Sequence, residues 1–220
     1  MANIHDEERT GRHVTDVLMQ CGFRSEFNRI PKDKREYYML RGKYVHEATE
    51  HWDRGTLNGT ALDPVIAPYL EGYKLFRTEI GGAVDGIELP VESKVWNYKG
   101  RLDRIYRDTQ LCPGLILMDI KTSSADPATR LQTAAYRLAW RELKRRGRTP
   151  DIRRGYVSLQ KSGKYKCELY DHDEADEAGW ISCLMWCNGK QGMNAWRSRN
   201  GLPPVEFVIA EVIRGIEDAE

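Results

Sequence analysis

An acid and a lysine two residues apart, Asp119 and Lys121, close the apolar run Leu115-Ile116-Leu117-Met118-Asp119-Ile120-Lys121-Thr122. Four apolar residues bounded by Gly114 predict a buried strand, and side chains on a strand alternate, so Asp119 and Lys121 point the same way. Burying charge is costly unless it is paired or coordinates a metal. Such a pair at the end of a buried strand therefore marks a site. A second acid, Asp103, lies sixteen residues earlier in Gly100-Arg101-Leu102-Asp103-Arg104-Ile105-Tyr106. Turn formers from Asp108 to Gly114 predict an antiparallel hairpin that brings Asp103 beside Asp119. Adjacent carboxylates repel unless a cation sits between them. Oxygen ligands suit Mg²⁺ or Mn²⁺, ions that drive phosphodiester chemistry, and Lys121 could steady a phosphate or orient a water.

The elements around these residues must position them. Asp126-Pro127 opens a helix to about Arg146 that follows the Asp119 strand after a short loop, so its start lies near the acids. Gln132 and Tyr136 share a face of that helix and can both hydrogen-bond phosphate or sugar, and Arg137 is a further candidate for substrate contact. Arg141, Lys144, Arg145, Arg146 and Arg148 follow as a basic cluster suited to the helix C-terminus or to phosphate. Earlier, Gly42, His46 and Glu50 share one face of another helix, where glycine permits close backbone approach and imidazole is a metal ligand. Glu92, on a strand spanning Ile87 to Val95, is either an additional acid near the metal or an exposed strand residue.

Periodicity fills in the rest. A short helix runs from His13 to Met19, a charged connector from Pro31 to Glu36, and a helix from Tyr37 to Trp52 with Leu40, Tyr44, Ala48 and Trp52 in one stripe. A helix covers Pro64 to Ile80, a hairpin joins Ile152–Gln160 to Tyr165–Tyr170, and helices cover Glu174–Cys187 and Ala210–Glu217. This order predicts an α/β fold with a mixed central sheet flanked by helices. One domain is expected over 1–220: helices over about 10–82, a core over about 83–170, and helices over about 171–220.

The chain of 220 residues is 40% hydrophobic and 30% charged, with a net charge of +1, so a nucleic-acid partner must be argued from local patches. A polar start and the absence of any membrane-length apolar run point to a cytoplasmic protein without a membrane partner. The five cysteines are odd in number and widely spaced, which argues against a disulfide framework. No phosphate-loop motif of a helicase occurs.

Together, Gly42-x-x-x-His46, Gly100-x-x-Asp103, Asp119-Ile120-Lys121 and Gln132-x-x-x-Tyr136 resemble the PD-(D/E)XK nuclease superfamily in its RecB-like exonuclease branch. The resemblance runs from about residue 13 to 140 and implies a restriction-endonuclease-like core. It implies that Asp103, Asp119, the Ile120 carbonyl and His46 bind Mg²⁺ or Mn²⁺, that Lys121 serves the attacking water, and that Gln132 and Tyr136 hold the DNA. It implies a DNA exonuclease, 5′ to 3′, acting on single- or double-stranded ends in phage or bacterial recombination or repair. A single-strand annealing protein would be a partner, and an oligomer would give processivity. An endonuclease or flap nuclease of the same fold, or a non-catalytic binding module, are the alternatives. Some relatives hold an iron–sulfur cluster with four cysteines, three of them clustered after the core; no compact trio stands here, which argues against a cluster.

Overall fold

Strand β4 (Leu115–Lys121) is buried along nearly its whole length, which is why its apolar run is unbroken. Leu115 and Leu117 enter one core, and Ile116, Met118 and Ile120 enter another on the opposite face. The computed structural model describes residues 11–23, 30–58, 62–124, 126–143 and 151–204. On one side β4 pairs antiparallel with β3 (Tyr98–Arg107), and on the other it pairs parallel with β5 (Ile152–Leu159). A hairpin adds β6 (Tyr165–Leu169) beyond β5. Among the described residues strand β2 (Ala83–Ser93) pairs only with β3, so Pro90 lies on an edge strand, where proline is tolerated. A two-residue strand, β1 (Arg12–His13), runs parallel to the start of β3. The sheet is mixed and helices cover both faces, as expected.

A parallel β4–β5 pair requires a crossover, supplied by α4 (Ala128–Leu143). The Ala128 N–H donates to Asp126 Oδ1 at 2.8 Å, which anchors the start of that helix beside the end of β4. Helices α1 (Val14–Gln20) and α5 (Asp173–Arg199) share the α4 face, with Trp180 edge-on to Tyr98. Helices α2 (Lys32–Asp53) and α3 (Ala67–Ile80) cover the other face, around Tyr73 and Phe76. Among the described residues no helix is long and apolar enough to cross a membrane.

Several boundaries differ from expectation. Helix α2 begins at Lys32, because the charged residues from Lys32 to Glu36 are sound helix formers and no breaker follows Pro31. Its expected stripe holds only in part: Ala48 is buried, but Leu40 and Tyr44 are exposed, and the core takes Val45 and Thr49 instead. Helix α5 runs twelve residues past Cys187, since Gly189 and Gly192 face open space and a solvated glycine costs a helix only about 1 kcal/mol. The helix expected over Ala210–Glu217 and the cations Lys144, Arg145, Arg146 and Arg148 lie outside the described residues.

Candidate active site

The β3–β4 pairing ends at Arg104–Met118, although β4 continues to Lys121. Extending the count by one residue sets Asp103 opposite Asp119, the juxtaposition the hairpin required. A side chain replaces the ladder there: the Ile120 N–H donates to Asp103 Oδ2 at 2.7 Å. The Ile120 carbonyl lies 3.0 Å from His46 Nε2 on α2. His46 Nδ1 is 3.5 Å from Glu88 Oε1 and 3.8 Å from Asp103 Oδ1. Both ring nitrogens thus face acceptors. Burial alone would push the imidazole pKa down; the carboxylates of Asp103, Glu88 and Asp119 override it and raise it to about 9.

Ligand atoms of His46, Glu88 and Asp103 lie within 4.8 Å of one another. Asp119 is buried, its Oδ1 accepts no hydrogen bond, and Lys121 Nζ sits 2.6 Å from its Oδ2. Burial and the neighbouring Asp103 push the Asp119 carboxyl up, against the pull of Lys121. Asp119 stands outside that trio, but an unsatisfied buried carboxylate oxygen next to two acids, an imidazole and the Ile120 carbonyl that now faces His46 offers the donors of a hard divalent cation. The residues present fit such an ion.

Glu88 was not foreseen. Its φ of +48° puts a non-glycine residue in the left-handed region, and the β2–β3 register skips the Glu88–Asp103 pair. The alternation of β3 reverses there too: Leu102 enters the α4-side core, whereas Tyr106 enters the core of α2 and α3. This irregularity turns Glu88 toward His46. In the observed register Ile87 pairs with Arg104 and Leu89 with Leu102, which leaves Glu88 opposite Asp103, a placement that the alternation of the strand does not reveal. Glu92 is exposed and stands opposite Lys99, away from His46's partners.

Arg104, fully buried, brackets the site. It donates to Asp53 Oδ2 (2.6 Å), Glu88 Oε1 (3.1 Å), Thr49 Oγ1 (3.1 Å) and the Asp103 carbonyl (2.8 Å). Four acceptors from α2, β2 and β3 converge on one guanidinium, which fixes the helix carrying His46 against the strands carrying the acids.

On the α4 face, Lys121 Nζ donates to Gln132 Oε1 at 3.3 Å, and Gln132 Nε2 donates to the Tyr136 hydroxyl at 3.0 Å. Tyr136 in turn packs on Gly100. The lysine of one motif is therefore steadied by the glutamine and tyrosine of another. Arg137 sits elsewhere: it is buried and bonded to the Ile152 carbonyl, Asp151, Asp173 and Glu177. A guanidinium committed to three carboxylates ties α4 to β5 and α5. Arg141 shares Asp151 and Glu177. Gly42 makes no close approach, since a Cβ there would meet only Thr122 Oγ1 at 3.9 Å.

A family model of the PD-(D/E)XK nuclease superfamily matches residues 62–191. Among solved structures, a candidate exonuclease from Eubacterium rectale is similar at 10% identity with a TM-score of 0.51, over 93% of this chain and 86% of that one. LHK-Exo in complex with dAMP is similar at 13% identity with a TM-score of 0.38, over 88% and 95%. Comparison with curated proteins found no match.

Proposed function

The chain belongs to the PD-(D/E)XK nuclease superfamily, and on that premise we propose that it is a divalent-metal-dependent DNA exonuclease. One observation carries the chemistry: the Lys121 ammonium lies 2.6 Å from a buried Asp119 whose other oxygen takes no hydrogen bond. His46, Glu88, Asp103, Asp119 and the Ile120 carbonyl would hold Mg²⁺ or Mn²⁺. The bound ion would supply Lewis acidity and a water of lowered pKa. Asp103 holds the Ile120 peptide, and with it the carbonyl, in place. Lys121, steadied by Gln132, presents its ammonium where a scissile phosphate would gain negative charge. Gln132 and Tyr136, both buried, would act on the strand beside the cleaved bond through the lysine they steady. We take residues 1–220 as one nuclease domain, a reading that the packing of α2 on the sheet carrying the acids supports. Resemblance supports 5′ to 3′ degradation in recombination or repair.

The test is digestion of end-labelled linear DNA against closed circles with Mg²⁺, Mn²⁺ or chelator, beside Asp119→Ala. Metal-dependent loss of linear DNA alone, abolished in the variant, is the expected result. Cut circles would make it an endonuclease, and no cleavage with any metal would overturn the enzymatic reading.

A further inference from the structure

The groove beside the acids is longer than a metal site needs. It encloses about 570 Å³, room for a nucleotide-sized segment rather than an ion. Helix α2 lines it with Tyr38, Met39 and Lys43 at one end and His46, Glu47 and Glu50 at the other, Lys43 being paired with Glu47 at 3.7 Å, and the sheet contributes Arg101 and Lys121. We propose that this groove takes an unpaired DNA strand, with a base stacked on Tyr38 and a phosphate held by Arg101. The proposal rests on the nuclease reading and names its substrate class.

Three observations carry it. Tyr38 and His46 stand eight residues apart on one helical face, so the ring lies roughly 12 Å along the axis from the imidazole, at 1.5 Å per residue. Among the described residues the first half of α2 fills no core: Tyr37, Met39 and Leu40 are at least half exposed and Tyr38 is 38% exposed. Apolar surface left in water beside a polar site marks a contact surface. Finally, cations interleave with these rings. From Lys32 to Glu50 the cations Lys32, Lys34, Arg35, Arg41 and Lys43 stand in the half that carries the rings, with Asp33 and Glu36, while Glu47 and Glu50 stand at the His46 end. The Arg41 guanidinium lies 5.1 Å from the Tyr38 ring centroid and donates to the Thr122 carbonyl at 3.1 Å, so the ring is braced against the loop that follows Lys121.

Aromatic rings among cations along a groove are how proteins hold single strands without reading sequence. The ring also selects against a duplex, whose base faces are already covered by neighbouring pairs. A protein partner would be served by the apolar residues but would leave the cations, and their continuity with the acids, without a role.

The experiment measures KM for a single-stranded oligothymidine and for a blunt duplex, in wild type, Tyr38→Ala, Tyr38→Phe and Arg101→Ala. Binding of the same labelled oligomers is followed by fluorescence anisotropy in chelator. Tyr38→Ala should raise KM and Kd for the single strand roughly tenfold, and Tyr38→Phe should restore both. Arg101→Ala should flatten the salt dependence of binding by about 0.7 in log–log slope, the loss of one single-strand phosphate contact. A wild type that cuts DNA but prefers the duplex, or a Tyr38→Ala variant with unchanged KM and Kd, overturns the proposal. A wild type that cuts nothing fails the nuclease reading alone, and the anisotropy then decides the strand site.

Discussion

The ring of Tyr136 lies against Gly100, so closely that a Cβ on Gly100 would fall inside the van der Waals envelope of Cε1. Two residues read from separate motifs are thus one contact, and it sets where Tyr136, Gln132 and finally Lys121 stand.

Gly100→Ala should therefore act at a distance. Displacing Tyr136 loosens the hydrogen bonds that steady Lys121, and overpacking should cost about 1–3 kcal/mol of stability. Denaturant melts and steady-state kinetics would check this; a variant with normal turnover would mean the chain does not orient Lys121.

Lys121→Ala should lower kcat on the order of 10²-fold or more, the scale of losing a group that stabilises transition-state charge. DNA binding in chelator should change little. Retained turnover would remove Lys121 from the chemistry.

Asp119→Asn should have opposite effects with and without metal. Burial raises the Asp119 pKa, so the ionised carboxylate opposes folding and its neutral isostere should raise the metal-free Tm. The same change should abolish any Tm gain on adding Mn²⁺. A variant still stabilised by Mn²⁺ would place the ion elsewhere.

The His46 proton competes with metal. Its pKa rises from 6.5 to about 9, so the charged ring's contribution to the metal-free fold is complete below pH 6.5 and is lost as pH climbs through about 9. Metal affinity should therefore strengthen about tenfold per pH unit from this group on approaching pH 9, then level off. Calorimetric titration of Mn²⁺ in the neutral-to-alkaline range would read the slope, and His46→Ala should flatten it.

Arg104→Met should cost about 3 kcal/mol, the lower end for breaking a buried pair, because Asp53 and Glu88 lose their closest cation and keep only Arg77 at 3.9 Å and His46 at 3.5 Å. Chemical denaturation measures it; a loss under 1 kcal/mol would mean α2 is held by packing alone.

Much of this was legible beforehand, for identifiable reasons. The unbroken run at Leu115 could only be a strand covered on both faces, and the turn formers after Asp108 forced the hairpin. Glu88 escaped because its placement depends on a left-handed backbone residue, which composition does not announce. Arg137 looked free because sequence shows a cation beside Tyr136 but not the acids of α5 folding over it. The apolar residues opening α2 read as core by periodicity, which cannot tell a face that meets the sheet from one that does not.

His46 lies outside the segment matched by the family model, which spans 62–191 and so contains Glu88, Asp103, Asp119 and Lys121. The sheet that carries the acids and the helix that brings an imidazole to it thus lie on opposite sides of the boundary of the matched segment. In this chain the helix offers a nitrogen, a softer donor than the surrounding oxygens, so an ion held here would meet both kinds of donor.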